Sequence, residues 1–193
     1  MDVPKLIIVA EHDSCVHTEQ WLKHLVLLAH NLQNFPSAML QVRAKTKPEL
    51  RMWAYKQLPF HPRIVINGTV EGYDQPFLHL PQSQVSKQDF SFGMSIHSQY
   101  DPVQYDSLSP LYYQLGPIFQ PLSKQGNAQG LRLITETAKQ TKTPIIAVGG
   151  ITPQNTMSVL HAGAYGIASS GYIMQSPSPI ESLKKLYQTV CSI

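Results

Sequence analysis

The stretch from Pro144 to Ile173, PIIAVGGITPQNTMSVLHAGAYGIASSGYI, leaves few folds open to this chain. Ile145, Ile146, Ala147 and Val148 form a short run without polar residues, as expected of a strand covered on both faces in a parallel sheet. Gly149 and Gly150 follow, and Thr152 then offers an N-cap oxygen ahead of Pro153 at the first helical position. The helix is expected to stop at Gly163, and a second apolar run starts at Gly166. Strand, turn, helix and strand thus fill about thirty residues, the length of one βαβ unit. The glycines stand where a strand hands over to a helix, so bare backbone N–H groups there can face an anion. Gly171 lies just past the second strand, and two such turns on adjacent strands make a phosphate site at the end of a (β/α)8 barrel. Glycine pairs also serve ordinary turns between helices and strands.

Bulk properties narrow the class further. The 193 residues are 42% hydrophobic, enough for one domain with a core, here 1–193. No run of apolar residues is long enough for a membrane span, and the start, MDVPKLIIVA, lacks the apolar core of a signal peptide. Two cysteines, Cys15 and Cys191, make no disulfide framework, which fits a reducing cytoplasm. A net charge of +3, scattered and without an aromatic stacking motif, argues against a nucleic-acid surface.

The βαβ pattern continues through the rest of the chain. Strands are expected at 5–10, 38–43, 63–66, 77–80, 92–97 and 111–116, before the two at 145–148 and from 166. Trp21, Leu25, Leu28, Ala29 and Leu32 mark the buried face of a first helix. A capping box at Thr46 and Glu49 predicts the start of a second, with Leu50, Trp53, Ala54 and Leu58 on its apolar face. Between Asn67 and Phe77 there is too little chain for a full crossover helix, so only a stub is expected. Helices are also predicted over 130–142 and from a capping box at Ser178 and Glu181, the last burying Ile180, Leu183, Leu186 and Val190. Strands alternating with helices in this order predict a (β/α)8 TIM barrel with some shortened helices.

Side-chain alternation then sorts the strand residues. In AMLQVRAK, Leu40, Val42 and Ala44 suit the helix layer, so Met39, Gln41, Arg43 and Lys45 must point into the barrel and its mouth. Donors of this kind are costly to bury unless something polar or anionic meets them. Asn67, His79, Ser95, His97, Gln114 and Gly116 fall on the inner side of their strands by the same rule. Ser123 and Lys124 follow in the loop after Gly116. The mouth is expected to hold cations and neutral hydrogen-bonding groups, with few carboxylates.

Gln41, Arg43 and Lys45; Ile66 and Asn67; His79 and Leu80; Ser95, His97 and Ser98; Gly116 to Phe119 with Ser123 and Lys124; and Val148 to Ile151 occur in this order at strand ends. Together they resemble the thiamine phosphate synthase/TenI family over nearly the whole chain. The resemblance implies a (β/α)8 barrel that binds a thiazole phosphate. In such synthases the thiazole phosphate is joined to hydroxymethylpyrimidine pyrophosphate with Mg²⁺, whereas TenI-type members aromatise the thiazole by proton transfer. It further implies that Gln41, Arg43, Lys45, Asn67, Ser95 and Lys124 line the pyrimidine and pyrophosphate side. Gly149, Gly150 and Gly171 would hold the thiazole phosphate through backbone.

The chain departs from the synthase pattern at its metal site. Gly68 stands where synthases follow Ile-Asn with an acidic residue, and Gln84 stands at the second acidic position. Magnesium is a hard cation that wants charged oxygen ligands, so no resident metal is expected here, with Mg²⁺ retained only for a synthase. Pro121 replaces the family's threonine, and Pro117 stands where TenI-type enzymes carry a histidine. A proton shift needs a base of near-neutral pKa, for which His97 is the first choice and His79 the second, although a histidine at either place can also merely orient its neighbours. The expected activity is thiazole tautomerisation, against the alternatives of synthase and of a phosphate-ligand sensor without turnover. Expected partners are thiazole phosphate or thiamine phosphate, with self-association left open. His12, Asp13, Cys15 and His17 are metal-capable types in one segment, read as a partly exposed loop.

Overall fold

The computed structural model describes residues 2–73, 77–86, 88–120 and 127–192. Within them, β1 (Leu6–Glu11), β2 (Ala38–Arg43), β3 (Ile64–Ile66), β4 (Phe77–Leu80), β5 (Ser91–Ile96), β6 (Tyr112–Leu115), β7 (Ile145–Val148) and β8 (Gly166–Ser169) form one parallel sheet. The order is β3-β2-β1-β8-β7-β6-β5-β4. A bridge between Asn67 and His79, with the Gly68 N–H donating to the His79 carbonyl at 2.7 Å, joins the two ends and closes the barrel. Around it lie α1 (Thr18–Asn31), α2 (Glu49–Tyr55), α3 (Asp101–Tyr105), α4 (Gly130–Ala138), α5 (Pro153–His161), α6 (Gly171–Met174) and α7 (Pro179–Val190). The fold is the expected (β/α)8 barrel with trimmed helices. No helix among the described residues is long and apolar enough to cross a membrane.

The alternation along β1 shows why the sheet closes. Leu6, Ile8 and Ala10 join the large core between strands and helices, while Ile7 and Val9 belong to a small core inside the barrel. Every residue of β1 is buried, because both faces of a closed parallel sheet are covered. The inner core also takes Met39, Val65, Phe77, Tyr112, Ile146 and Ala168, one from each remaining strand except β5. The Tyr112 ring is the largest of these and is fully buried. It fits only because β5 carries Gly93 opposite, where a Cβ would lie 2.2 Å from the ring.

Helix signals held unevenly. The face of α1 read from sequence is buried throughout. Pro153 opens α5, with the Thr152 N–H donating to Asn155 Oδ1 at 2.9 Å, and Gly163 ends it at φ +109°. The Thr46 capping box does not form: α2 starts at Glu49, and the Thr46 hydroxyl donates instead to Asp13 Oδ1 at 2.5 Å. Trp53 is 45% exposed rather than packed, since the short α2 covers the sheet with Ala54 alone fully buried. Ser178 makes no side-chain cap, and Ile180 is only partly buried in α7. Between β4 and β5 a single 3-10 turn, Gln82–Gln84, replaces a helix, and the fourth helix ends four residues early at Ala138, compared with the expected Lys142.

Gly93→Ala should lower the unfolding free energy by about 3 kcal/mol, because the barrel centre cannot yield to the added methyl. Urea denaturation of the variant against the parent chain checks this.

Candidate active site

The C-terminal ends of the strands open into a cavity of about 390 Å³. Gln41, Arg43, Lys45, Ser95 and His97 line it, as alternation predicted, and so do Gly149, Gly150 and Gly171 of the glycine turns. Asn67 and His79 face inward but are not part of the cavity wall. Ser123 and Lys124 fall outside the described residues.

The floor is polar and tightly held. His79 is fully buried, 3.0 Å from the Tyr112 hydroxyl through Nδ1 and 2.9 Å from Ser95 Oγ through Nε2. Burial, and then the nearby Arg43 guanidinium, push its pKa from 6.5 down to about 3. His79 is therefore a neutral strut linking β4, β5 and β6, which removes it as a base open to substrate. Beside it, Gln41 and Gln114 have buried amide oxygens with no hydrogen-bond partner among the described residues. Such oxygens are destabilising when left unmet, and both face a cavity from which a ligand donor can reach them.

A carboxylate that sequence reading missed organises the cation side. Glu11, at the end of β1 and 3% exposed, pairs with Arg43 across β1 and β2 and accepts the Lys45 N–H at 3.2 Å. The signal was present: Glu11 continues the inward file of Ile7 and Val9, but the expected strand stopped at Ala10. Lys45 itself is exposed at the rim. Burial, and then Arg51 on α2, lower the Arg43 pKa, yet guanidinium stays charged across any physiological range.

His97 stands at the opposite rim. Its Nδ1 lies 2.9 Å from the Gly116 carbonyl, which can only accept, so Nδ1 carries the proton and Nε2 is the free basic nitrogen. Asp101 Oδ2 accepts the His97 and Ser98 N–H groups at 2.8 and 2.9 Å, and Gln129 Nε2 donates to the His97 carbonyl at 3.1 Å. The backbone that presents the ring is thus clamped on both sides.

Next to it, Gly149 and Gly150 adopt φ +100° and +62°. Their Cβ positions would meet Pro117 Cα at 2.7 Å and the Gln120 carbonyl at 2.6 Å, so glycine is required by the loop after β6. The N–H groups of Gly150, Ile151, Gly171 and Tyr172 make no hydrogen bond among the described residues and border the cavity. Ser169 Oγ donates to the Ile151 carbonyl at 3.1 Å, locking the two turns together.

The metal-capable segment after β1 does not converge. The segment is partly exposed, as expected, but His12 itself is buried: Nε2 lies 2.9 Å from Thr18 Oγ1 and the ring packs edge-on against Trp21. Cys15 donates weakly to the Met174 carbonyl, and His17 is exposed. The packing of α1 pulls these side chains to different partners.

A family model described as thiamine monophosphate synthase matches residues 78–173. Over 105 residues the chain is 35% identical to the thiamine-phosphate synthase of Anoxybacillus flavithermus, covering 53% of this chain and 48% of that one. The Bacillus velezensis thiamine-phosphate synthase is 30% identical over 105 residues, covering 53% and 47%. The barrel superposes on thiamine phosphate pyrophosphorylase from Pyrococcus furiosus with a TM-score of 0.69 at 14% identity, covering 96% of this chain and 95% of that one. For the Bacteroides thetaiotaomicron thiamine phosphate pyrophosphorylase the TM-score is 0.67 at 19% identity, with 98% and 97% covered. The chain belongs to the thiamine phosphate synthase/TenI family. It spans about half the length of the curated relatives it matches, and the superpositions establish the fold.

Gly68 and Gln84, the two places where the resemblance led us to expect acidic residues in a synthase, lie together. Gln84 Oε1 accepts the Thr69 N–H at 3.0 Å and would lie 2.8 Å from a Cβ on Gly68. Arg51 Nη1 would lie 2.6 Å from that same Cβ, and it donates to the Asn67 carbonyl. One amide oxygen beside a guanidinium does not fit a hard divalent cation, which needs several oxygens and negative charge.

Two outcomes are expected. Unfolded His79 takes up a proton near pH 6.5 that the folded form refuses until about 3, so its contribution to stability is complete above 6.5 and falls with pH below it. Urea midpoints should show about 2 kcal/mol less stability near pH 5 than near pH 7, and His79→Asn should flatten that slope. Glu11→Ala should lower stability by about 3 kcal/mol, the low end for a broken buried pair because Arg43 keeps some solvent. The Glu11→Leu, Arg43→Met double variant should recover most of it in the same assay.

Proposed function

We propose that this chain acts in thiamine biosynthesis as a TenI-like tautomerase that binds a thiazole phosphate and aromatises its ring by proton transfer. The observation that carries the reading is the fixed His97 tautomer, Nδ1–H to the Gly116 carbonyl with Nε2 free at the cavity wall. In this reading the phosphate rests on the N–H groups of Gly150 and Gly171, with Gly149 shaping the turn. The ring lies between them and the buried amides of Gln41 and Gln114. His97 Nε2 takes the ring proton as its C–H bond electrons enter the ring, and the imidazolium returns a proton where the double bond ends. Asp101 and Gln129 keep the ring in place through the His97 backbone. Ser95 and His79 hold the floor, and no step passes through a metal.

A second reading is supported by the relatives, which are named synthases, and by Arg43 and Lys45 at the mouth. It holds that hydroxymethylpyrimidine pyrophosphate is bound there and joined to the thiazole phosphate, with release of pyrophosphate.

Proton NMR of the non-aromatic thiazole phosphate in deuterated buffer separates the readings. Deuterium incorporation and aromatisation are expected, and His97→Asn should slow them by about 10²- to 10⁴-fold while leaving calorimetric binding of the ligand within about twofold. Unchanged turnover in the variant removes His97 from the mechanism. Formation of thiamine phosphate from the two halves, without exchange, assigns the chain to the synthases.

A further inference from the structure

Gln114 has no chemical part in either reaction considered above, yet it stands deep in the lumen. β2 and β6 lie four places apart in the closed eight-stranded order, so they face each other across the barrel. Their inward residues at the base, Met39 and Tyr112, meet there, with the Tyr112 hydroxyl 3.6 Å from Met39 Sδ. Two residues further along each strand come Gln41 and Gln114, which oppose one another in the next layer and line the cavity from below. Gln114 is 6% exposed, and its Oε1 is buried with no hydrogen-bond partner among the described residues. Register sets it between Ser95 of β5, whose Oγ lies 2.9 Å from His79 Nε2, and Ile146 of β7, whose side chain has no donor. A methionine side chain would fill much the same space without an unmet polar atom, so packing alone does not call for an amide here. The cavity is the side from which a donor can reach this oxygen.

We propose that Gln114 is a specificity-determining residue whose carboxamide oxygen accepts a hydrogen bond from the ligand, and that the ligand is a heterocyclic phosphate with an N–H or amino donor on the ring edge remote from its phosphate arm. This rests on the reading of the cavity as a site for a ring phosphate. The glycine turns of β7 and β8 stand at the rim and Gln114 lies in the layer below, so a ring held by its phosphate turns its far edge toward the amide. A buried acceptor discriminates because an analogue that fills the same space without a donor leaves the oxygen unmet and cut off from water.

The test is calorimetric titration with the phosphate esters of hydroxyethylthiazole and of its 2-amino and 2-methyl derivatives, which carry the added group across the ring from the phosphate arm. Amino and methyl groups are alike in size, so the difference between them reads the hydrogen bond and not the space. The parent chain is expected to bind the 2-amino ester about tenfold to a hundredfold more tightly than the 2-methyl ester, the worth of one buried hydrogen bond. Gln114→Met should bring those two esters within about twofold of each other while leaving the unsubstituted ester bound as before. Equal affinities in the parent chain overturn the inference, and so does a preference that persists in the variant. Thermal melts without ligand complete the test. Gln114→Met is expected to melt at or above the parent temperature; a lower melting temperature assigns the amide a structural role and overturns the inference. Binding of the unsubstituted ester alone overturns it too, but leaves the proposed function standing. Absence of binding by every ester removes the ring-phosphate reading as well.

Discussion

A closed barrel of eight short parallel strands has one narrow lumen, and the competition for that lumen sets the rest of the structure. Each strand sends alternate side chains inward, and the space is filled at its base by Ile7, Met39, Phe77 and Tyr112. Gly93 exists so that the Tyr112 ring can lie across the axis, and the Tyr112 hydroxyl then meets His79, which meets Ser95. Apolar packing thus grades into a hydrogen-bonded layer. Above that layer Glu11 and Arg43 still pair, while Gln41, Gln114 and Ser95 line the cavity.

Charge at the mouth is distributed by how deeply each group sits. Glu11 and Arg43, at matched register on neighbouring strands, neutralise one another where solvent is scarce. Lys45, two residues further out, needs no partner. Arg51 comes from a helix and reaches the seam between β3 and β4, where a single bridge closes the sheet and where Gly68 and Gln84 lie together.

The two histidines show how alike positions take different roles. His79 and His97 both follow the inward alternation of their strands. One is sealed between a tyrosine and a serine and held neutral by burial; the other lies at the rim, with its tautomer set by the carbonyl of the adjoining strand. Only the second has a nitrogen open to a ligand, and that difference comes from depth in the barrel and not from residue type.

Much of this was legible in the chain. Periodicity located eight strands, and alternation sorted Gln41, Arg43, Ser95 and His97 into the cavity wall, because a strand's two faces are a local property of its backbone. The glycine turn at Gly149 and Gly150 was legible for the same reason. Glu11 was missed because one residue more of strand, supported by pairing with β2, carried it inward. The Thr46 cap and the Trp53 face failed because α2 is only seven residues long and its packing, not its pattern, decides what it covers. Sequence by itself determined the order of strands and which side chains face the axis, both of which follow from short-range stereochemistry. Tertiary structure decided which polar groups pair, which are sealed from water, and that Arg51 lies against Gly68, because those depend on distances between segments far apart in the chain.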